Sequence, residues 1–98
     1  MVRHFGVFKF KNAVTEEQIE ASFKSRKDMV GKIPGLLEME HGSYNGNEGL
    51  NEDCTHGFLM TFDCPASRGA YLPHPLHVKV KNLVVPRLDR VVVFDIHV

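Results

Sequence analysis

Ninety-eight residues make one domain, large enough for a modest core and close to the size at which a chain leans on a partner subunit for burial. Twelve Lys and Arg balance twelve Asp and Glu, so there is no basic field to neutralise phosphates, and nucleic-acid binding is not expected. No long apolar run exists, and Met1-Val2-Arg3-His4-Phe5 reads as a strand rather than a signal peptide, so the expectation is a cytoplasmic protein with no membrane segment. Cys54 and Cys64 fall near the two ends of one predicted strand, too far apart for a bridge. That suits a reducing compartment and two small buried hydrophobes.

Residues 2–11 alternate, with His4, Gly6, Phe8 and Phe10 on one face and Arg3, Phe5, Val7 and Lys9 on the other, which predicts a first strand. Thr15-Glu16-Glu17-Gln18 is a capping box that opens a helix running to about Lys32. Its apolar positions Ile19, Phe23, Val30 and Ile33 keep near a 3.6 period, Glu20, Lys24, Lys27 and Asp28 suit water, and Gly31, Pro34 and Gly35 end it. Residues 36–44 predict a second strand with Leu37, Met39 and His41 on one face, and residues 45–53 a polar loop. A third strand over 54–63 carries His56, Phe58, Met60 and Phe62 on one face and is apolar on both, as a central strand would be. A short helix over 65–71 gives way at Pro73, and another starts at Pro75 with His74 as its N-cap. Leu76, Val80, Leu83 and Val84 form its buried stripe, with His77 on the inner edge, until Pro86 ends or kinks it. Residues 90–98 make a last, largely apolar strand. The order βαββαβ reads as a ferredoxin-like α+β fold with helices on one sheet face. The other face, carrying Phe5 and Val7 or their alternates, is left uncovered, and a homodimer that closes two sheets together is the natural remedy.

The stretch Tyr71-Leu72-Pro73-His74-Pro75-Leu76-His77 places three proton-transfer side chains around two prolines. With Arg3-His4, Val7-Phe8-Lys9-Phe10-Lys11, Thr55-His56-Gly57 and Val93-Phe94-Asp95, it makes the whole chain resemble the stress-responsive A/B barrel (Dabb) family. The resemblance implies a ferredoxin-like dimer forming an α+β barrel and, from the family's plant polyketide cyclases, a cofactor-free lyase or cyclase acting on a small apolar carbonyl ligand. Carried over residue by residue, it implies His77 and Tyr71 as catalytic groups. It implies His4, His56 and Asp95 in the pocket, Asp95 holding the imidazole tautomer; Phe8 and Met60, which differ from the cyclase's residues, are expected in the lining. The pocket lining departs from the cyclase pattern, so a substrate does not transfer.

Plainer readings stand beside these. His4 and His56 also fit hydrogen-bonded core positions, Tyr71 an anchor and His77 a polar helix edge, and His41 and His97 fit a surface or interface. A metal site built from Cys54, His56, His74 and His77 has no recognised zinc spacing, so no metal and no other cofactor is expected. Cys64 has no feature of a nucleophile. Lys79, Lys81, Arg87 and Arg90 read as the solvated face of the last helix and its exit. The alternative to an enzyme is a dimeric stress-response or small-ligand-binding protein.

Overall fold

A computed structural model describes residues 1–98 as a four-stranded antiparallel sheet with helices on one face. The strands are β1 (Val2–Phe10), β2 (Leu36–Ser43), β3 (His56–Phe62) and β4 (Leu88–His97), in the order β2-β3-β1-β4. Three helices join them: α1 (Glu16–Lys27), α2 (Pro65–Tyr71) and α3 (Pro75–Val84), the last followed by a single 3-10 turn at Val85–Arg87. This is the ferredoxin-like arrangement, with β3 and β1 in the centre and β2 and β4 at the edges. No helix is long and apolar enough to cross a membrane.

The alternation of β1 sets the layer that matters. Val2, His4, Phe8 and Phe10 are buried toward the helices, and register pairs His4 with Met60 on one side and Asp95 on the other. Gly6, between His4 and Phe8, is required there by close approach. A Cβ at that position would lie 2.8 Å from the ring of Phe58, which packs over the strand in the space a side chain would take. Gly35, with φ +84°, turns the chain into β2 where a Cβ would meet the Ser67 hydroxyl at 2.2 Å.

Helix α1 opens on the expected capping box: Gln18 N–H donates to the Thr15 hydroxyl and Thr15 N–H to the Gln18 side chain. It ends earlier than its apolar periodicity suggests. Beyond Lys27 the backbone tightens into turns, with Met29 N–H bonded to Arg26 O and Val30 N–H to Lys27 O, and these turns still bury Met29 and Ile33. On β2 the expected phase fails at its start. Leu36 pairs with Phe62 but Glu38 with Thr61, so one extra residue bulges the strand, Leu36 is buried and Leu37 is exposed. The third strand starts at His56 rather than Cys54, and the fourth at Leu88 rather than Arg90. Within α3, Val80 and Val84 are buried as the stripe predicts, whereas Leu83 faces a groove against Met29 and Lys32 at the end of α1. Arg87 is half-buried rather than simply solvated: it donates to Gln18 O and to the Ser22 hydroxyl, tying the 3-10 turn to α1. Arg90 donates to Glu52. Both cysteines are free, Cys54 buried and Cys64 partly so, and burial pushes the Cys54 thiol up.

The helices leave two apolar surfaces bare. On the open face, Phe5 packs against Phe94, and Val7, Val92, Phe94 and Ile96 are exposed. Strand β4 is uncovered on its other face as well, where Val91 and Val93 are exposed.

Candidate functional site

The heptapeptide 71–77 builds the site through its hydrogen-bond accounting. Helix α2 ends at Tyr71, and the carbonyl of Leu72 then looks for a backbone donor three or four residues on. The residue three on is Pro75, which has no N–H. The N–H four on, at Leu76, donates instead to His74 Nδ1, the N-cap of α3. Leu72 O is thereby left free, and His77 Nδ1 donates to it at 2.9 Å. A histidine whose Nδ1 carries the proton presents an unprotonated Nε2. Burial lowers the pKa of His77 from its ordinary 6.5, against the opposing pull of the Leu72 carbonyl, so the ring is neutral at pH 7.

Tyr71 stacks on that ring, centroid to centroid 4.0 Å with 27° between planes. It is only 1% exposed, and burial raises its phenol to about 12, so it is an O–H donor throughout the physiological range. On its other side the edge of Tyr71 meets His4 at 5.8 Å. His4 lies among Phe58 and Phe62 and donates from Nδ1 to Asp95 Oδ1. The second carboxylate oxygen of Asp95 takes Arg68 Nη1 at 3.2 Å. Asp95 therefore orients His4, not the imidazole of His77, whose tautomer the Leu72 carbonyl holds. The result is one neutral phenol between two imidazoles, each oriented by a different acceptor.

His56 shares the sheet face but not the cluster. It pairs with Phe8, four residues along β3 from the Met60 that pairs with His4, roughly 13 Å away along the strand. There its ring meets Phe10 at 5.4 Å and Phe23 at 6.0 Å, and its Nδ1 bonds the Thr55 hydroxyl at 2.8 Å. His41 stacks on the far side of the same end, 4.6 Å from Phe23, and is exposed. Met60 and Phe8 are fully enclosed, the first beside His4 and the second further along β1.

Between the cluster and the helices lies a residue that no motif of the sequence marks. Arg26, near the end of α1, is 6% exposed, and its Nε and Nη1 are enclosed without a hydrogen-bond partner. Its guanidinium sits over Phe58 at 4.7 Å and over Phe8 at 5.1 Å from the ring centroids. Each such contact offers about 0.5–2 kcal/mol, against a penalty of several kcal/mol for enclosing an ion. The rings alone leave the charge under-compensated. Desolvation lowers the pKa of Arg26, and the Tyr71 hydroxyl, the group that most opposes this, is in turn made more acidic by the guanidinium. The signal was present in the helical period: the stripe Ile19, Phe23, Val30 leaves its inward position at 26, and an arginine fills it.

No cluster of histidine, cysteine and carboxylate groups in the chain has the arrangement of a metal site. What fold and site define is a small ferredoxin-like α+β protein with an enclosed His/Tyr cluster between its sheet and helices. The chain belongs to the family described as the Stress responsive A/B Barrel Domain, whose model matches residues 2–98. It is 31% identical to the stress-response A/B barrel domain-containing protein HS1 of Arabidopsis thaliana, over 96% of this chain and 86% of that one. It is 30% identical to olivetolic acid cyclase of Cannabis sativa, over 96% of this chain and 93% of the cyclase. Among solved structures, a dimeric ferredoxin-like protein of unknown function from Jannaschia sp. CCS1 superposes with a TM-score of 0.88 at 26% identity, covering 99% of this chain and 98% of that one.

Proposed function

We propose that the protein is a homodimeric, cofactor-independent acid–base catalyst that acts on a small, largely apolar carbonyl compound in the manner of an aldol-type cyclase. The observation that carries this is the free Nε2 lone pair of His77, kept neutral and tautomerically fixed beside a protonated Tyr71. In the proposed reaction, His77 Nε2 takes a proton from the carbon next to a carbonyl, while the Tyr71 hydroxyl donates to the enolate oxygen. The enolate carbon attacks a second carbonyl of the same molecule, and the proton on Nε2 passes to the new alkoxide. His4, oriented by Asp95, adds a second polar group beside Tyr71, Met60 and Phe8 supply apolar walls, and His56 lies outside the reacting cluster. The similarity to olivetolic acid cyclase supports the reaction class.

The test is hydrogen–deuterium exchange at the acidic carbons of a panel of poly-β-keto compounds, followed by NMR. Wild type should accelerate exchange of at least one member, and His77→Ala should slow it by about 10²–10⁴-fold with an unchanged circular dichroism spectrum. Activity should fall on the acid side with a midpoint below 6.5, the ordinary value for histidine, because burial depresses the folded-state value. The same depression means that the unfolded chain takes up the proton first. Stability should therefore decline as pH falls from 6.5 toward the folded value, and His77→Ala should flatten that decline. Exchange no faster than buffer across the panel would leave the second reading, a ligand-binding protein without turnover.

The dimer rests on the bare apolar surface of β4 and the open sheet face, and on the dimeric state of the Jannaschia relative. Sedimentation at micromolar concentration should give twice the 11.1 kDa chain mass. A stable monomer there would remove the assembly from the proposal.

A further inference from the structure

We infer that Arg26 is the receptor for a carboxylate on the ligand, and that the substrate is a small 3-oxo acid with a further ketone along its chain, bound as its free anion. This deepens the proposed function, since it rests on the reading that the His/Tyr cluster takes a ligand. Arg26 takes part in no ion pair of the chain. The carboxylates that do form ion pairs hold other partners: Asp95 with His4 and Arg68, Asp28 with Lys24, and Glu52 with Arg90. Enclosed guanidinium groups are matched by a carboxylate or phosphate, and here Nε and Nη1 have no partner. The surroundings decide the charge of the missing group. Phe8 and Phe58 flank the guanidinium, and His77 is held neutral by its burial, so a single positive charge faces the ligand. That matches a carboxylate and leaves a phosphate dianion half-compensated.

The position of Arg26 relative to Tyr71 sets the rest of the ligand. Arg26 and Tyr71 belong to one layer: the guanidinium lies 4.7 Å from the Phe58 ring centroid, and His4 packs against both Phe58 and Tyr71. A keto acid can therefore set its carboxylate on Arg26 and a ketone oxygen on Tyr71, and in a 3-oxo acid the carbon between the two groups is the most acidic. That carbon is the one that must face His77 Nε2.

Calorimetric titration with hexanoate and with hexanamide, its neutral counterpart, tests the receptor on wild type, Arg26→Met and Arg26→Lys. Wild type should bind hexanoate at least about tenfold tighter than hexanamide, a difference one charge-assisted contact supplies. Arg26→Met should bind the two alike, and Arg26→Lys should keep part of the preference. Without ligand, Arg26→Met should melt no lower than wild type, because it removes an enclosed charge and keeps the side chain's bulk. Should Arg26→Met fail to fold, Arg26→Gln provides the same comparison. Absence of binding, equal affinity of wild type for both probes, or a preference that survives in Arg26→Met or Arg26→Gln overturns the inference. Exchange at C2 of 3-oxohexanoate and of its methyl ester separates this inference from the reading beneath it. An ester that exchanges as fast as the acid removes the receptor and leaves the acid–base reading standing. A hexanoate preference with no exchange of either compound removes the catalyst and leaves the receptor.

Discussion

Two histidines lie on one sheet face four residues apart in register, and their surroundings differ in everything but that face. At the His4 end, a carboxylate from β4, a guanidinium from α2 and a phenol and imidazole from the α2–α3 junction converge. At the His56 end, the neighbours are Phe10, Phe23 and the adjacent Thr55 hydroxyl. The same imidazole is a polar instrument in one place and an aromatic wall in the other. What separates them is which side chains reach across: β4 brings Asp95 and α2 brings Arg68 and Tyr71 to His4, whereas α1 brings only the Phe23 ring to His56. A histidine on an apolar strand face takes its chemistry from those non-local partners.

After His77→Ala, the widest contrast should come from Tyr71. Tyr71→Phe removes one donor to a developing oxyanion and should lower exchange by about 10²–10³-fold while the stacked ring keeps its place. A rate within a few-fold of wild type would make Tyr71 an anchor and shrink the difference between the two ends. Asp95→Asn should cost less, about tenfold, because it loosens the orientation of His4 without touching His77. If it abolishes exchange as completely as His77→Ala, His4 is the base and the roles of the two imidazoles are exchanged. The smallest effect is expected from His56→Ala, within about twofold in rate, with a modest loss of stability from the thinned aromatic contact to Phe10 and Phe23. A large loss of rate there would extend the site along the whole layer.

Much of this architecture is legible locally. The alternation of β1, the Thr15–Gln18 capping box and the prolines at 73 and 75 each announce their structure within a few residues, and the β4-to-β1 return follows from the βαββαβ order. The features that escaped are those whose cause lies elsewhere in the chain. Leu36 replaces Leu37 in the core because a bulge shifts the phase against β3. Asp95 was expected beside an imidazole, but that the imidazole is His4 and not His77 follows from the β1–β4 register, which no local pattern records. Arg26 was legible in position but not in consequence: the helical period points it inward, and charge argues for the outside. A polar residue occupying a vacancy in an apolar stripe is the sign that separates the two.

The two prolines around His74 act by subtraction. Each removes a backbone donor, and with the Leu76 N–H committed to His74, the Leu72 carbonyl is satisfied by a side chain in place of the main chain. The lone pair offered for proton transfer is thus decided by which amides are missing from a helix junction, not by any acidic neighbour of His77. In this fold the reactivity of an imidazole is written into the seam between two helices. It depends on spacing along the chain as strictly as a turn does, so an insertion or deletion between Leu72 and His77 would alter the chemistry before it altered the shape.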